Sequence, residues 1–329
     1  MTSPDVRRRA HLNRLPLALA TCGVALVLLL QPASTAEKAP RERASGDWGL
    51  EWSEPVNLGE TVNTSFNENT AALSKDGLTL YFASSRPGGL GAGDIWVTHR
   101  EAEDAPWETP VNVVALNSAA SESSPALSRD EHWMFIETTR PGGAGASDIW
   151  ASWRQHTRDD LGWEAPFNLG PAVNWVYEDQ GPGYFEGEDG APPELYYATN
   201  RRLAAGFLDI NVSRLQEDGT FGPPELVPEL SSPSNEFRPQ LTHDGLEIFF
   251  GSNRPGGLGL QDIWTSTRPG LFAPWDPPVN LGAVNTSAND NQPTISADRK
   301  TLVFMSTKPG GFGGQDLWMS VRTRVKPGR

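Results

Sequence analysis

Five times along this chain a carboxylate, a basic residue and a second carboxylate recur at near-fixed spacing. The sets are Glu68/Arg86/Asp94, Glu122/Arg140/Asp148, Asp179/Arg201/Asp209, Glu236/Arg254/Asp262 and Asp290/Lys308/Asp316. The first interval is 18 residues in four sets and 22 in the third, and the second is always eight. A guanidinium between two carboxylates can hold a loop in place through bidentate bonds. Such a pairing present in every copy is expected of the repeat itself. Structural ion pairing is therefore the expected role of the basic residues and of Asp94, Asp148, Asp209, Asp262 and Asp316. The leading acids Glu68, Glu122, Asp179, Glu236 and Asp290 have a second option. Ringed around a channel mouth, they could seat a cation or a polyhydroxyl ligand.

The elements that must position these residues are short strands. Ser85-Arg86-Pro87-Gly88-Gly89 … Asp94-Ile95-Trp96 returns at Arg140, Arg254 and Lys308, and in worn form at Arg201, with a period of about 53–61 residues. That period, built from strands, predicts a β-propeller. In the first copy, strands are expected over 69–74, 78–84, 94–100 and 107–113, with a turn at Lys75-Asp76-Gly77. The last of these carries Trp-x-x-Pro-Val/Phe-Asn, which also begins at Trp52, Trp163 and Trp275 and, degenerate, at Phe221. The copy at Trp52 precedes any complete blade, and the last blade lacks one. The pattern therefore predicts an all-β, five-bladed propeller over 48–324, each blade four antiparallel strands. The strand at about 52–58 closes the ring by joining the last blade, removing an open edge. The antiparallel order puts each acid–base–acid set at one end of its blade, and all five on one face.

The motifs Leu-Ser-x-Asp-Gly-x-x-Leu-Tyr-Phe-x-Ser-x-Arg-Pro-Gly-Gly and Asp-Ile-Trp resemble the WD-like repeat of TolB-type propellers. That family is found in exported bacterial proteins. The resemblance covers about residues 48–324 and implies the fold and an envelope setting rather than a chemistry. Prolyl oligopeptidase-like enzymes add an α/β-hydrolase domain to a similar propeller, but no Gly-x-Ser-x-Gly occurs here.

Residues 1–36 read as a signal peptide. Arg7, Arg8, Arg9 and Arg14 precede a sixteen-residue apolar run, Leu15 to Leu30, and Ser34-Thr35-Ala36 offers a cleavage site. Residues 37–47 read as a flexible tether and 325–329 as a tail. Once the signal is cleaved, no membrane span is expected. The only cysteine, Cys22, lies in the apolar run, so the fold is expected without disulfides. The formal net charge of −14 repels phosphate backbones and argues against nucleic acid. A protein or a cell-envelope glycan suits it better. The Gly-rich loops precede strands rather than helices and so lack the phosphate-binding arrangement. The five histidines show no metal-ligand spacing. No cofactor is implied beyond an optional calcium ion, structural or at the channel mouth. A periplasmic or secreted monomer is expected.

Blade three departs most from the repeat. Its leading loop holds Trp175, Tyr177 and Glu178, aromatics beside acids that suit sugar binding, or a drifted blade in which Trp175 packs on a neighbour. Its first strand is Gly-rich, its turn over 186–193 is long and acidic, and Asp-Ile-Trp becomes Asp209-Ile210-Asn211. Near-uniform blades favour a non-catalytic scaffold that binds protein or envelope. The alternatives are a five-bladed carbohydrate-active enzyme, with Glu68, Asp179 and Glu236 as its acids, or a sugar-binding lectin with its site at the axial channel.

Overall fold

Runs such as Thr79-Leu80-Tyr81-Phe82-Ala83-Ser84 are bounded by turn residues and nearly all buried, as a strand packed on both faces requires. In a computed structural model they form five sheets. The structure describes residues 49–201 and 207–325. The expected signal and tether lie outside the described residues, as does all of the expected tail but Val325. The blades belong to one compact unit, Glu51–Thr323.

Blade one is β3 (Glu68–Leu73), β4 (Thr79–Ser84), β5 (Asp94–His99) and β6 (Val111–Asn112). Blade two is β7 (Glu122–Leu127), β8 (Trp133–Thr138), β9 (Asp148–Trp153) and β10 (Phe167–Asn168). Blade three is β11 (Asp179–Phe185), β12 (Glu194–Thr199), β13 (Asp209–Arg214) and β14 (Glu225–Leu226). Blade four is β15 (Glu236–Leu241), β16 (Glu247–Ser252), β17 (Asp262–Thr267) and β18 (Val279–Asn280). Blade five is β19 (Asp290–Ile295), β20 (Thr301–Ser306) and β21 (Asp316–Val325), completed by the leading strands β1 (Gly49–Trp52) and β2 (Val56–Asn57). Every sheet is antiparallel, and among the described residues there is no α-helix. The all-β, five-bladed architecture is the one the repeat predicts.

The ring closes where Val56 pairs with Met319 and Asn57 with Trp318. The outer strands are shorter than expected, two residues rather than seven. The preceding proline, as at Pro55 and Pro110, has no N–H to extend the ladder. Neighbouring blades are stitched by an asparagine that acts as a piece of strand. Asn117 accepts from the Ile95 N–H (2.7 Å) and donates to the Ile95 carbonyl (2.9 Å). Asn174 does the same for Ile149 and Asn285 for Ile263. Asn63 does it for Leu317, across the closure. Between blades three and four Ser231 stands in that place and reaches only carbonyls.

Candidate functional site

The leading acids begin the inner strands and the basic residues follow the ends of the second strands, so antiparallel pairing brings them together. Glu68 pairs with Arg86 (3.3 Å), Glu122 with Arg140 (3.1 Å), Glu236 with Arg254 (2.9 Å), and Asp179 more distantly with Arg201 (3.7 Å). Lys308 reaches the Pro55 carbonyl instead of Asp290. The five acids are fully buried. Glu68 also accepts from the Thr64 N–H, the Thr64 hydroxyl and the Ser84 hydroxyl. Glu122, Glu236 and Asp290 have matching partners. Burial raises the pKa of Asp179 and Glu236 against those hydrogen bonds. These side chains are used inside their own blades and present no open ring of acids to the channel.

The second carboxylate of each set does something else. Asp94 caps the Gly-rich loop, accepting from the Leu90 N–H (2.8 Å) and the Gly91 N–H (3.3 Å). Asp148, Asp262 and Asp316 do likewise. A Cβ on Gly89 would lie 1.7 Å from the Asp94 carboxylate, which is why the second Gly of Pro-Gly-Gly recurs. The basic residue therefore does not bridge two acids. The arginines bind one acid and a loop carbonyl, Lys308 a carbonyl alone, and the basic residue stacks on the Trp of Asp-Ile-Trp, as Arg86 does on Trp96 (5.3 Å) and Lys308 on Trp318 (4.0 Å). In blade three that Trp is Asn211, and Arg201 turns to Trp175 (5.4 Å). Two departures of blade three are thus one exchange of stacking partner. Asp209, 8 % exposed, starts β13.

A different constellation lies at the axis. The third residue of every inner strand has positive φ beside a register shift: Thr70, Ser124, Gly181, Arg238 and Gln292. Four are small or neutral. Arg238, 2 % exposed, crosses the channel from blade four and donates to the Ala71 carbonyl of blade one (2.6 Å) and the Pro125 carbonyl of blade two (2.9 Å). Burial lowers its pKa, and the negative charge of Glu137 raises it in part.

Glu137, on β8, stands where the other blades have Ala83, Ala198, Gly251 and Met305. It accepts from the Ser124 hydroxyl (2.9 Å) and the Gly181 N–H (3.2 Å). Its pKa is raised, chiefly by burial and further by Glu178, against those bonds and Arg238. Glu178 occupies a place held elsewhere by Asn67, Ser121, Asn235 and Asn289. Gln180 Nε2 lies 3.3 Å from its carboxylate. At the position of Gln180, blade one has Asn69, bonded to Gln315, and blade five has Asn291, bonded to Gln261. Arg238 Nε and Nη1 and Gln292 Oε1 are buried without protein partners. Glu137, Glu178 and Arg238 thus form a polar cluster at the axis, the axial cup, with Arg238 reaching across to blades one and two.

Of the residues expected in blade three, Glu178 joins this cup. Trp175 and Tyr177 are 43 % and 46 % exposed in the loop leading to it. Glu137 and Arg238 do not recur, so a search for repeated chemistry passes them by. Position-by-position comparison of the five copies would have exposed both. Among the described residues no group of three or more His, Cys, Asp or Glu is placed to hold a metal ion, and no helix is long and apolar enough to cross a membrane.

No family model matches the chain, and no curated protein matches its sequence. Solved structures do. An α-L-arabinofuranosidase from Lactobacillus brevis has a TM-score of 0.54 at 11 % identity, covering 81 % of this chain and 92 % of that one. A thermostable family-43 glycoside hydrolase gives 0.53 at 13 %, covering 79 % and 89 %. TolB from Acinetobacter baumannii gives 0.45 at 13 %, covering 79 % and 56 %. The first two likenesses show the propeller fold. They do not show a TolB-type protein specifically.

Proposed function

We propose that this chain is a carbohydrate-active propeller whose site is the axial cup, and that it hydrolyses glycosidic bonds there. The observation carrying this reading is that three residues breaking the fivefold repeat, Glu137, Glu178 and Arg238, interact electrostatically at one place. Glycoside hydrolysis needs two carboxylates in unlike environments, one held protonated to donate to the leaving oxygen. Glu137 is the proton donor, because burial favours its neutral form. Glu178, half-buried beside it, is the second carboxylate, the one that activates water or attacks. Arg238, Gln292 and the cup amides bind sugar hydroxyls, and Trp175 and Tyr177 offer apolar faces to a sugar ring. This differs from the acid set Glu68, Asp179 and Glu236, of which Glu68 and Glu236 are hydrogen-bonded within their blades and Asp179 is fully buried beside Arg201.

The scaffold reading rests on near-uniform blades, and the axis is where they are least uniform. An arabinofuranosidase and a xylan β-1,4-xylosidase among the similar folds suggest arabino- and xylo-oligosaccharides as first substrates. With the leader read in residues 1–36, the substrate is an extracytoplasmic glycan. The test is sugar release by the wild type and by Glu137→Gln.

A further inference from the structure

Four arginines at the ends of third strands share one setting. Arg100, Arg154, Arg268 and Arg322 stack on Trp107, Trp163, Trp275 and Trp52 at 4.4, 4.5, 4.4 and 4.8 Å. In each, Nε donates to a turn carbonyl, of Gly77, Glu131, Gly245 and Arg299. In three, the outer nitrogens are answered as well. Arg100 donates to the Glu103 carbonyl, Arg154 to Asp160 (2.6 Å), and Arg322 to both oxygens of Glu247 (2.8 and 2.9 Å).

Arg268 is the exception. It is 7 % exposed, its guanidinium bonds only to Gly245 among the described residues, and Nη2 is buried with no partner. By the repeat, Glu194 should answer it, as Glu247 answers Arg322. Glu194 is instead taken by the Tyr196 hydroxyl (2.9 Å) and by Arg214 (3.1 Å), which also binds Glu225. The guanidinium lines a cavity of about 320 Å³ between blades three and four. In the groove of blades one and two, the corresponding space is filled by Asp160, held by Arg154, Tyr81 and His99. Asp160 comes three residues before Trp163; three residues before Trp275 stands Phe272, 78 % exposed.

We propose that this groove binds the C-terminal carboxylate of a peptide, which takes the place beside Arg268 that Asp160 occupies beside Arg154. The cavity wall also carries Glu194, Glu225 and Glu229, of which Arg214 answers the first two, so the positive charge offered to the carboxylate is that of Arg268, the one guanidinium of the four whose outer nitrogens lack an acidic or carbonyl acceptor. Phe272, Leu271 and the prolines Pro192, Pro228 and Pro274 provide an apolar wall for the last side chain. The site is separate from the axial cup and independent of the reading given to it.

The test is calorimetric titration of the full chain with an N-acetylated alanyl-leucine dipeptide, as the free acid and as the amide. The acid is expected to bind at least tenfold more tightly. Phe272→Asp builds the internal ligand into the groove and should abolish binding, whereas Phe272→Asn removes the same ring without adding charge and should retain the preference for acid over amide. Phe272 is exposed, so both variants should fold. Glu137→Gln should leave this binding unchanged. No binding of the acid, equal binding of acid and amide, or equal losses in the Asp and Asn variants would overturn the proposal. Glucuronate binding as well as the dipeptide would overturn the peptide assignment.

Discussion

A Cβ built on Gly181 would sit 2.8 Å from the Arg238 Cα, so blade three yields its side chain to let the strand of blade four approach the axis. The same glycine donates its N–H to Glu137. The Gly-rich inner strand of blade three is thus the fitting that brings Glu137 and Arg238 into one cup. Positive φ alone does not demand glycine here, because Thr70 and Ser124 carry side chains at φ 42° and 54°. Close approach does. Gly183 repeats the point, with a Cβ 2.0 Å from the Pro239 carbonyl.

Gly181→Ala is therefore expected to destabilise the fold by about 3 kcal/mol, roughly 1 from the left-handed backbone and the rest from overpacking. Thr70→Ala, at the equivalent position without the close approach, should cost about 1 kcal/mol or less, chiefly for its bond to the Ser124 N–H. Urea denaturation of the two variants checks the difference. Equal losses would show that backbone conformation, not packing against β15, governs the site.

Ser231 offers the converse experiment. At its place four blades have an asparagine that bonds both polar groups of a strand residue. Ser231→Asn should restore both bonds to Ile210 and stabilise by about 1 kcal/mol, raising Tm. Asn117→Ser should lose a similar amount. A neutral Ser231→Asn variant would mean that the asparagine clasp has no net worth.

The ring closure is held by β2 against β21 and by the Asn63–Leu317 clasp. Removing residues 1–58 opens the outer edge of blade five and unfastens Asn63 from Asn57. Tm should fall by about 10 °C or more, with the loss shared by the whole propeller rather than a frayed blade. Scanning calorimetry showing an unchanged transition would refute this.

Glu137 also predicts a pH dependence. Its pKa is raised in the folded state, chiefly by burial. The folded protein then holds this proton more tightly than the unfolded chain. The associated stability is present below the ordinary carboxylate pKa and is lost as pH rises through the raised value. Glu137→Gln cannot lose it. The stability of Glu137→Gln relative to wild type should therefore grow between about pH 4 and the raised pKa, by up to ~1.4 kcal/mol per pH unit. A difference that is flat across that range would place Glu137 in a wetter setting than the cup described.

The blades, their order and the closing strand were legible in the sequence because each is a repeated pattern of apolar runs, turn glycines and Trp-x-x-Pro. The nearness of Glu68 to Arg86 was legible too, since antiparallel pairing brings the start of one strand to the end of the next. The partner of Asp94 was not. Spacing alone does not say whether a carboxylate meets a guanidinium or the N–H groups of its own loop. Arg238 was hidden for another reason: its contacts, the carbonyls of Ala71 and Pro125, lie across the axis in other blades. Trp175 stands out in the sequence, but its explanation needs Asn211 and Arg201 together.

Hydrolysis in the axial cup stands or falls on a single comparison. Wild type and Glu137→Gln are incubated with arabino- and xylo-oligosaccharides, and released sugars are separated and counted. Wild type should hydrolyse them, and Glu137→Gln should lose about 100-fold or more in kcat, in line with removal of a general acid. No release by wild type, or release that Glu137→Gln leaves unchanged, would contradict the assignment of the cup as a hydrolytic site.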